Sequence, residues 1–113
     1  MPYIDCKITK KLSEEQIQNV KTHLGKAVSL IGKPESYLMV GIDDGYRLFF
    51  AGKEVEDGAF VGVSLFGNST PDRYEKMTAE ICRILERETG ADPARIYVTY
   101  QGIGDWGWNG SNF

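Results

Sequence analysis

At 113 residues the chain fits one domain and leaves no room for two. Hydrophobic residues at 42% and charged residues at 26% allow a globular core of normal size without disulfide or metal staples. A net charge of −3 with no run of Lys or Arg argues against nucleic acid and against a membrane-binding arm.

No stretch approaches the roughly 20 apolar residues that cross a bilayer. The start, Met1-Pro2-Tyr3-Ile4-Asp5-Cys6, lacks the basic-then-apolar pattern of a signal peptide. The expected location is therefore the cytoplasm, although export without a leader leaves no mark in a sequence. Cys6 and Cys82 stand far apart, no C-x-x-C occurs, and His23 is the lone histidine, so neither a zinc site nor another metal is expected. Both cysteines are expected as buried thiols. Neither a G-x-G-x-x-G nor a Walker loop is present, and no cofactor is expected.

In chain order, Pro2 to Thr9 reads as a strand, with Tyr3 alternating against Ile4, Cys6 and Ile8. Ser13-Glu14-Glu15-Gln16 matches a capping box. Behind it Ile17, Val20, Leu24, Ala27, Val28 and Ile31 form one helical stripe, closed by Gly32 and Pro34. The first helix is expected over about Ser13 to Ile31. Tyr37 to Ile42 and Tyr46 to Ala51 read as two strands joined as a hairpin by Asp43-Asp44-Gly45. A polar loop, Gly52 to Gly58, leads to Ala59–Phe66, whose mostly apolar run suits a central strand covered on both faces.

Thr70 and Pro71 open a second helix with Tyr74, Met77, Ile81, Ile84 and Leu85 as its buried stripe, and Gly90 ends it. Ala94 to Gln101 is a strand, and the tail from Gly102 is rich in Gly and aromatics. The two halves repeat a motif: Gly32-Lys33-Pro34-Glu35-Ser36-Tyr37 corresponds to Gly90-Ala91-Asp92-Pro93-Ala94-Arg95-Ile96-Tyr97. The expected class is α+β, with duplicated β-α-β units forming a mixed four-stranded sheet, two helices on one face, and short edge strands. The second sheet face carries apolar residues and needs a cover, which self-association supplies most simply.

Ordinary catalytic sets are absent. His23 has no evident nucleophile, and no pair of carboxylates stands out. An enzyme built on this chain needs an unusual general base. Three segments bear on this: Met1-Pro2 followed at once by a strand, Gly32 to Tyr37 after the first helix, and Ala94 to Tyr100 followed by Gly107-Trp108-Asn109-Gly110-Ser111-Asn112-Phe113. In this order and spacing, over the whole chain, the sequence resembles macrophage migration inhibitory factor and its relatives, D-dopachrome tautomerase among them.

The resemblance implies a homotrimer around a central channel, with active sites at subunit interfaces. It implies removal of Met1, leaving Pro2 as the base in keto–enol tautomerisation of phenylpyruvate-like aryl 2-oxo acids. Lys33 aligns with the family's active-site lysine, and Phe66 with a position that presents its backbone amide. Tyr37 and Tyr97 align with pocket tyrosines, Tyr97 coming from the neighbouring subunit. Trp106, Trp108 and Phe113 fall in the tail that lines the family's pocket rim, with structural packing the preferred reading for Trp108. Thr99 stands where the animal cytokine has an asparagine, and Trp106 replaces a smaller aliphatic residue. The cytokine's C-x-x-C is missing, its positions falling near Ala59 to Val61. As physical support, an α-amine titrates near pH 8, and burial and a nearby cation both favour its neutral form.

The alternative is a cytokine-like protein, exported without a signal peptide and acting on a receptor, with the tautomerase site incidental. Two further readings rank lower: hydration or dehalogenation at an N-terminal proline, which calls for additional arginines, and a non-catalytic trimeric scaffold.

Overall fold

The computed structural model describes all residues, Met1–Phe113. Its central sheet has the order β2-β1-β5-β6. Strand β1 (Pro2–Ile8) runs through helix α1 (Glu14–Ala27) to β2 (Met39–Asp43), which lies parallel to it. Strand β5 (Ala59–Phe66) runs through helix α2 (Pro71–Thr89) to β6 (Ile96–Ile103), also parallel. The two units join through the antiparallel pair β1–β5, in which Pro2 faces Leu65 and Ile8 faces Ala59. The duplicated β-α-β architecture and mixed four-stranded sheet thus stand as expected.

Local chemistry sets the helices. Ser13 accepts from the Gln16 amide while the Gln16 side chain accepts from the Ser13 amide, so the capping box is complete. Thr70 caps α2 through the Arg73 amide. Helix α1 ends four residues before the expected Ile31, because Val28–Ile31 tighten into a 3-10 turn stopped by Gly32 at φ 77°. Gly90 ends α2 in the same left-handed conformation, φ 75°. After each glycine a proline opens one 3-10 turn, Glu35–Tyr37 or Pro93–Arg95, before the strand starts. That is the structural content of the sequence repeat. It also shifts Tyr37 and Ala94 out of the strands to which the sequence assigned them.

Both helices cover one sheet face. Ile4, Cys6 and Ile8 of β1 and Val61, Val63 and Leu65 of β5 meet Val20 and Leu24 of α1 and Met77, Ile81, Ile84 and Leu85 of α2, all at 1% exposure or less. Each such aliphatic side chain contributes roughly 1.5–3 kcal/mol. Cys6 is buried here, which pushes its thiol up to about 12 and leaves it inert at neutral pH. Cys82 is only half-buried.

Strand β5 is covered on one face only within the chain. Its alternate residues, Phe60 to Phe66, lie on the open face. With them stand Tyr3, Met39, Tyr97 and Thr99, and also the charged Asp5, Lys7 and Asp43, so this face is more mixed than the sequence suggested.

The expected Tyr37–Ala51 hairpin does not form. Val40 and Ile42 pack against the core beneath β1, which draws β2 into the parallel pair. The Asp44 carboxylate accepts the Leu12 amide at 2.7 Å, and the Gly45 and Tyr46 amides donate to Lys10 and Ile8 carbonyls. The turn signal therefore ties the chain to the end of β1 instead of reversing it. The reversal comes later, at Ala51-Gly52 (φ 52° and 78°), which joins β3 (Leu48–Phe50) to β4 (Lys53–Val55). The loop expected over Gly52 to Gly58 thus contains a strand. In the tail, Asn109-Gly110 (φ 52° and 83°) closes a second hairpin, β7 (Gly107–Trp108) and β8 (Ser111–Asn112).

Candidate functional site

The start of β1 and the end of β5 are neighbours because the strands run antiparallel. This brings Pro2 beside Leu65 and Phe66, and Pro2 is itself buried. The residues after α1 descend to the same sheet end, where Lys33 Nζ donates to the Phe66 carbonyl at 2.9 Å. The Phe66 amide donates to the Met1 carbonyl at 3.0 Å. The backbone of Phe66 thus links the chain start to Lys33.

A cleft of about 390 Å³ opens at this end, lined by Met1, Pro2 and Tyr3, by Ser36 to Met39, and by Trp106 to Trp108. Its wall is an aromatic chain. Tyr37 meets Trp108 edge-on at 5.9 Å, Trp108 stacks on Phe113 at 6.1 Å, and Phe113 lies 5.3 Å from Phe66. The Met1 amine, which precedes Pro2, is held below its ordinary value of 8.0 by burial and then by the positive charge of Lys33.

Of the sequence-assigned residues, Pro2, Lys33, Tyr37, Phe66, Trp106, Trp108 and Phe113 therefore converge. Tyr97 and Thr99 do not. Tyr97 pairs with Phe60, five residues back along β5 from Leu65, about 17 Å at 3.3 Å per residue. It is 59% exposed on the open face and packs on Phe50 at 5.8 Å. Thr99 sits midway along β6, opposite Gly62. Sequence reasoning missed four contributors to the cleft: Tyr3, Ser36, Leu38 and Met39. The Tyr3–Met39 register puts both on one face. That signal becomes visible only once β2 is known to pair parallel with β1.

Two β-α-β units joined through an antiparallel strand pair define a tautomerase-type fold, and they bring a buried Pro2, an anchored Lys33 and an aromatic cleft to one sheet end. The sequence matches the family model for macrophage migration inhibitory factor over residues 1–113. The chain belongs to the macrophage migration inhibitory factor family. It is 30% identical over 86 residues to a macrophage migration inhibitory factor homolog of Trichuris trichiura, covering 74% of this chain and 75% of that one. The crystal structure of Leishmania major MIF2 superimposes with a TM-score of 0.91 at 30% identity, over 100% of this chain and 97% of that one. Macrophage migration inhibitory factor of Toxoplasma gondii gives 0.89 at 27% identity, over 98% and 99%.

Proposed function

We propose that this chain, once Met1 is removed, is a keto–enol tautomerase of phenylpyruvate-like aryl 2-oxo acids with the Pro2 amine as general base. The observation that carries this is the convergence at one sheet end of buried Pro2, Lys33 anchored on the Phe66 carbonyl and an aromatic cleft, where burial and Lys33 also hold the Met1 amine below its ordinary value.

While Met1 is attached, the Pro2 nitrogen is an amide and its lone pair is delocalised. Removal of Met1 makes it a secondary amine in the same buried place, subject to the same two effects. It also frees the Phe66 amide, whose hydrogen bond now goes to the Met1 carbonyl. The amine takes the proton from the carbon next to the ketone. The C–H pair becomes the new C=C bond, the carbonyl pair moves to oxygen, and the proton is returned there. Lys33 spends one of its three donors on Phe66, leaving two for the substrate carboxylate or the enolate. Tyr37, Trp106, Trp108 and Phe113 hold the aryl ring, and the Phe66 amide binds a substrate oxygen.

Tyr97 and Thr99 belong to the same site when supplied by the next copy in a homotrimer. The open sheet face, with Met39 72% and Tyr97 59% exposed, supports that assembly. No helix is long and apolar enough to cross a membrane. The cytoplasm or the cell exterior is the compartment we infer.

The test is phenylpyruvate tautomerase activity of methionine-free protein beside a folded Pro2→Gly variant. Activity lost in the variant supports Pro2 as base. An inactive wild type, or an equally active variant, overturns the reading and favours a receptor-binding role.

A further inference from the structure

Gly102 lies near the end of β6, opposite Leu65. A side-chain carbon built on it would lie inside van der Waals contact with the Gly67 carbonyl oxygen and the Asn68 side-chain carbonyl. Part of this obstacle is backbone, so no rotamer change relieves it. The turn after Phe66 is pressed onto β6 at this point, and the Gly67 amide donates to the Ile103 carbonyl at 2.9 Å. Gly102 has no left-handed φ, so the need for glycine here is one of space.

The Gly67–Asn68 turn immediately follows Phe66, and Phe66 is the residue that holds Lys33. We propose that Gly102 is a positioning residue: by letting the Gly67–Asn68 turn lie against β6, it fixes the Phe66 carbonyl and so holds the Lys33 ammonium beside the chain-terminal amine. Gly102 touches neither the cleft nor the substrate. Its effect travels from the Gly67–Asn68 peptide to the adjacent Phe66–Gly67 peptide. The inference rests on the tautomerase reading for its catalytic consequence, but not for its electrostatic one.

Within the site, Lys33 is the charged group acting on the amine, and Tyr3 and Tyr37 are the titratable groups lining the cleft. A loosened Lys33 lets the amine return toward its ordinary range, so a base limb in a pH profile moves to higher pH.

The experiment uses methionine-free Gly102→Ala protein. The pH titration of the Pro2 amine is followed by NMR with nitrogen-15 proline, beside kcat/KM for phenylpyruvate. The expected result is an amine titrating at higher pH than in wild type. The expected loss of kcat/KM is about 10- to 100-fold, the scale of an ångström-level misplacement. Lys33→Met should produce the same upward titration shift, and adding Gly102→Ala to it should shift the amine no further. If Gly102→Ala does not fold, Gly102→Ala with Asn68→Gly removes the side-chain half of the clash and serves in its place. An amine that titrates as in wild type overturns the proposal. A shifted amine in a protein whose wild type has no tautomerase activity leaves Gly102 in its role and removes the catalytic reading instead.

Discussion

Replacing Tyr100 with Phe isolates one hydroxyl while leaving its ring in place. The ring of Tyr100 stacks on Tyr74 at 4.5 Å, and its hydroxyl donates to the Tyr74 carbonyl at 3.0 Å. The Thr78 hydroxyl lies 2.7 Å away. Since the Tyr100 proton is committed to Tyr74, Thr78 is the donor in that second bond. Tyr100→Phe removes both bonds. Thr78 then has a substitute, because the Tyr74 carbonyl stands four residues earlier in the same helix and a threonine hydroxyl can bond to it. The cost therefore falls near the lower end of the range for a buried hydrogen bond, about 1–1.5 kcal/mol. For a domain of this size that lowers Tm by about 4–6 °C. Urea unfolding at pH 7 followed by circular dichroism measures it. Burial pushes the Tyr100 phenol above its ordinary 10.0 in the folded protein. A raised phenol contributes stability below pH 10 that fades as pH rises through the folded value, so the gap between wild type and variant should narrow in that range. A variant as stable as wild type, or one destabilised by more than about 3 kcal/mol, would refute the rescue by Tyr74 and the one-hydroxyl accounting.

Three further perturbations follow from single residues. Lys33→Met removes the charge that depresses the N-terminal amine, so the amine should titrate at higher pH; because its folded pKa is lowered, the stability lost as pH falls through that range should shrink, which denaturation between pH 8 and 6 would detect. Ala51 holds φ 52° in the β3–β4 turn. Ala51→Gly relieves about 1 kcal/mol of left-handed strain, offset by added freedom when unfolded, for a net gain of about 0.5 kcal/mol in thermal melts. Ser69 carries a buried hydroxyl without a hydrogen-bond partner, although its amide donates to the Tyr74 hydroxyl at 2.8 Å. Ser69→Ala should hold or raise stability by about 0.5–1 kcal/mol, and a loss would show that the hydroxyl is satisfied in solution.

What the sequence disclosed divides along the range of the interaction. Helix caps at Ser13 and Thr70 and stops at Gly32 and Gly90 depend on residues within four positions, and all four appear where the pattern put them. The hairpin assigned around Asp43-Asp44-Gly45 failed because Asp44 is spent on Leu12, thirty-two residues away, a partner no local window contains. The true reversal at Ala51-Gly52 was hidden by an alanine in a glycine-type conformation. Asn109-Gly110 did carry the usual hairpin signal, but strands of two residues are too short to show alternation. At the site, Pro2 and Lys33 were legible through the family resemblance. The Phe66–Met1 and Gly102–Gly67 approaches depend on the register of β5 against β1 and β6, which composition and spacing do not encode.

In the proposed site, with Tyr97 and Thr99 supplied by a second copy, the duplication explains why one chain holds only part. Strands β1 and β5 are antiparallel, so the two β-α-β units begin at opposite sheet ends, one at Pro2 and the other at Ala59, beside Ile96 and Tyr97. A site that draws on the starts of both units must therefore join two copies. This is testable by complementation. Lys33→Met spoils the cleft and Tyr97→Ala spoils the donated side, so each homotrimer should be impaired. In a closed ring of three, any mixed trimer contains one cleft with Lys33 facing one intact Tyr97. Random equal mixing makes about three quarters of the trimers mixed, each with about one third of its sites intact, so co-expression should restore about one quarter of wild-type activity. If Tyr97 served its own chain's cleft, no mixture would contain an intact site, and the co-expressed protein would stay as impaired as its parents.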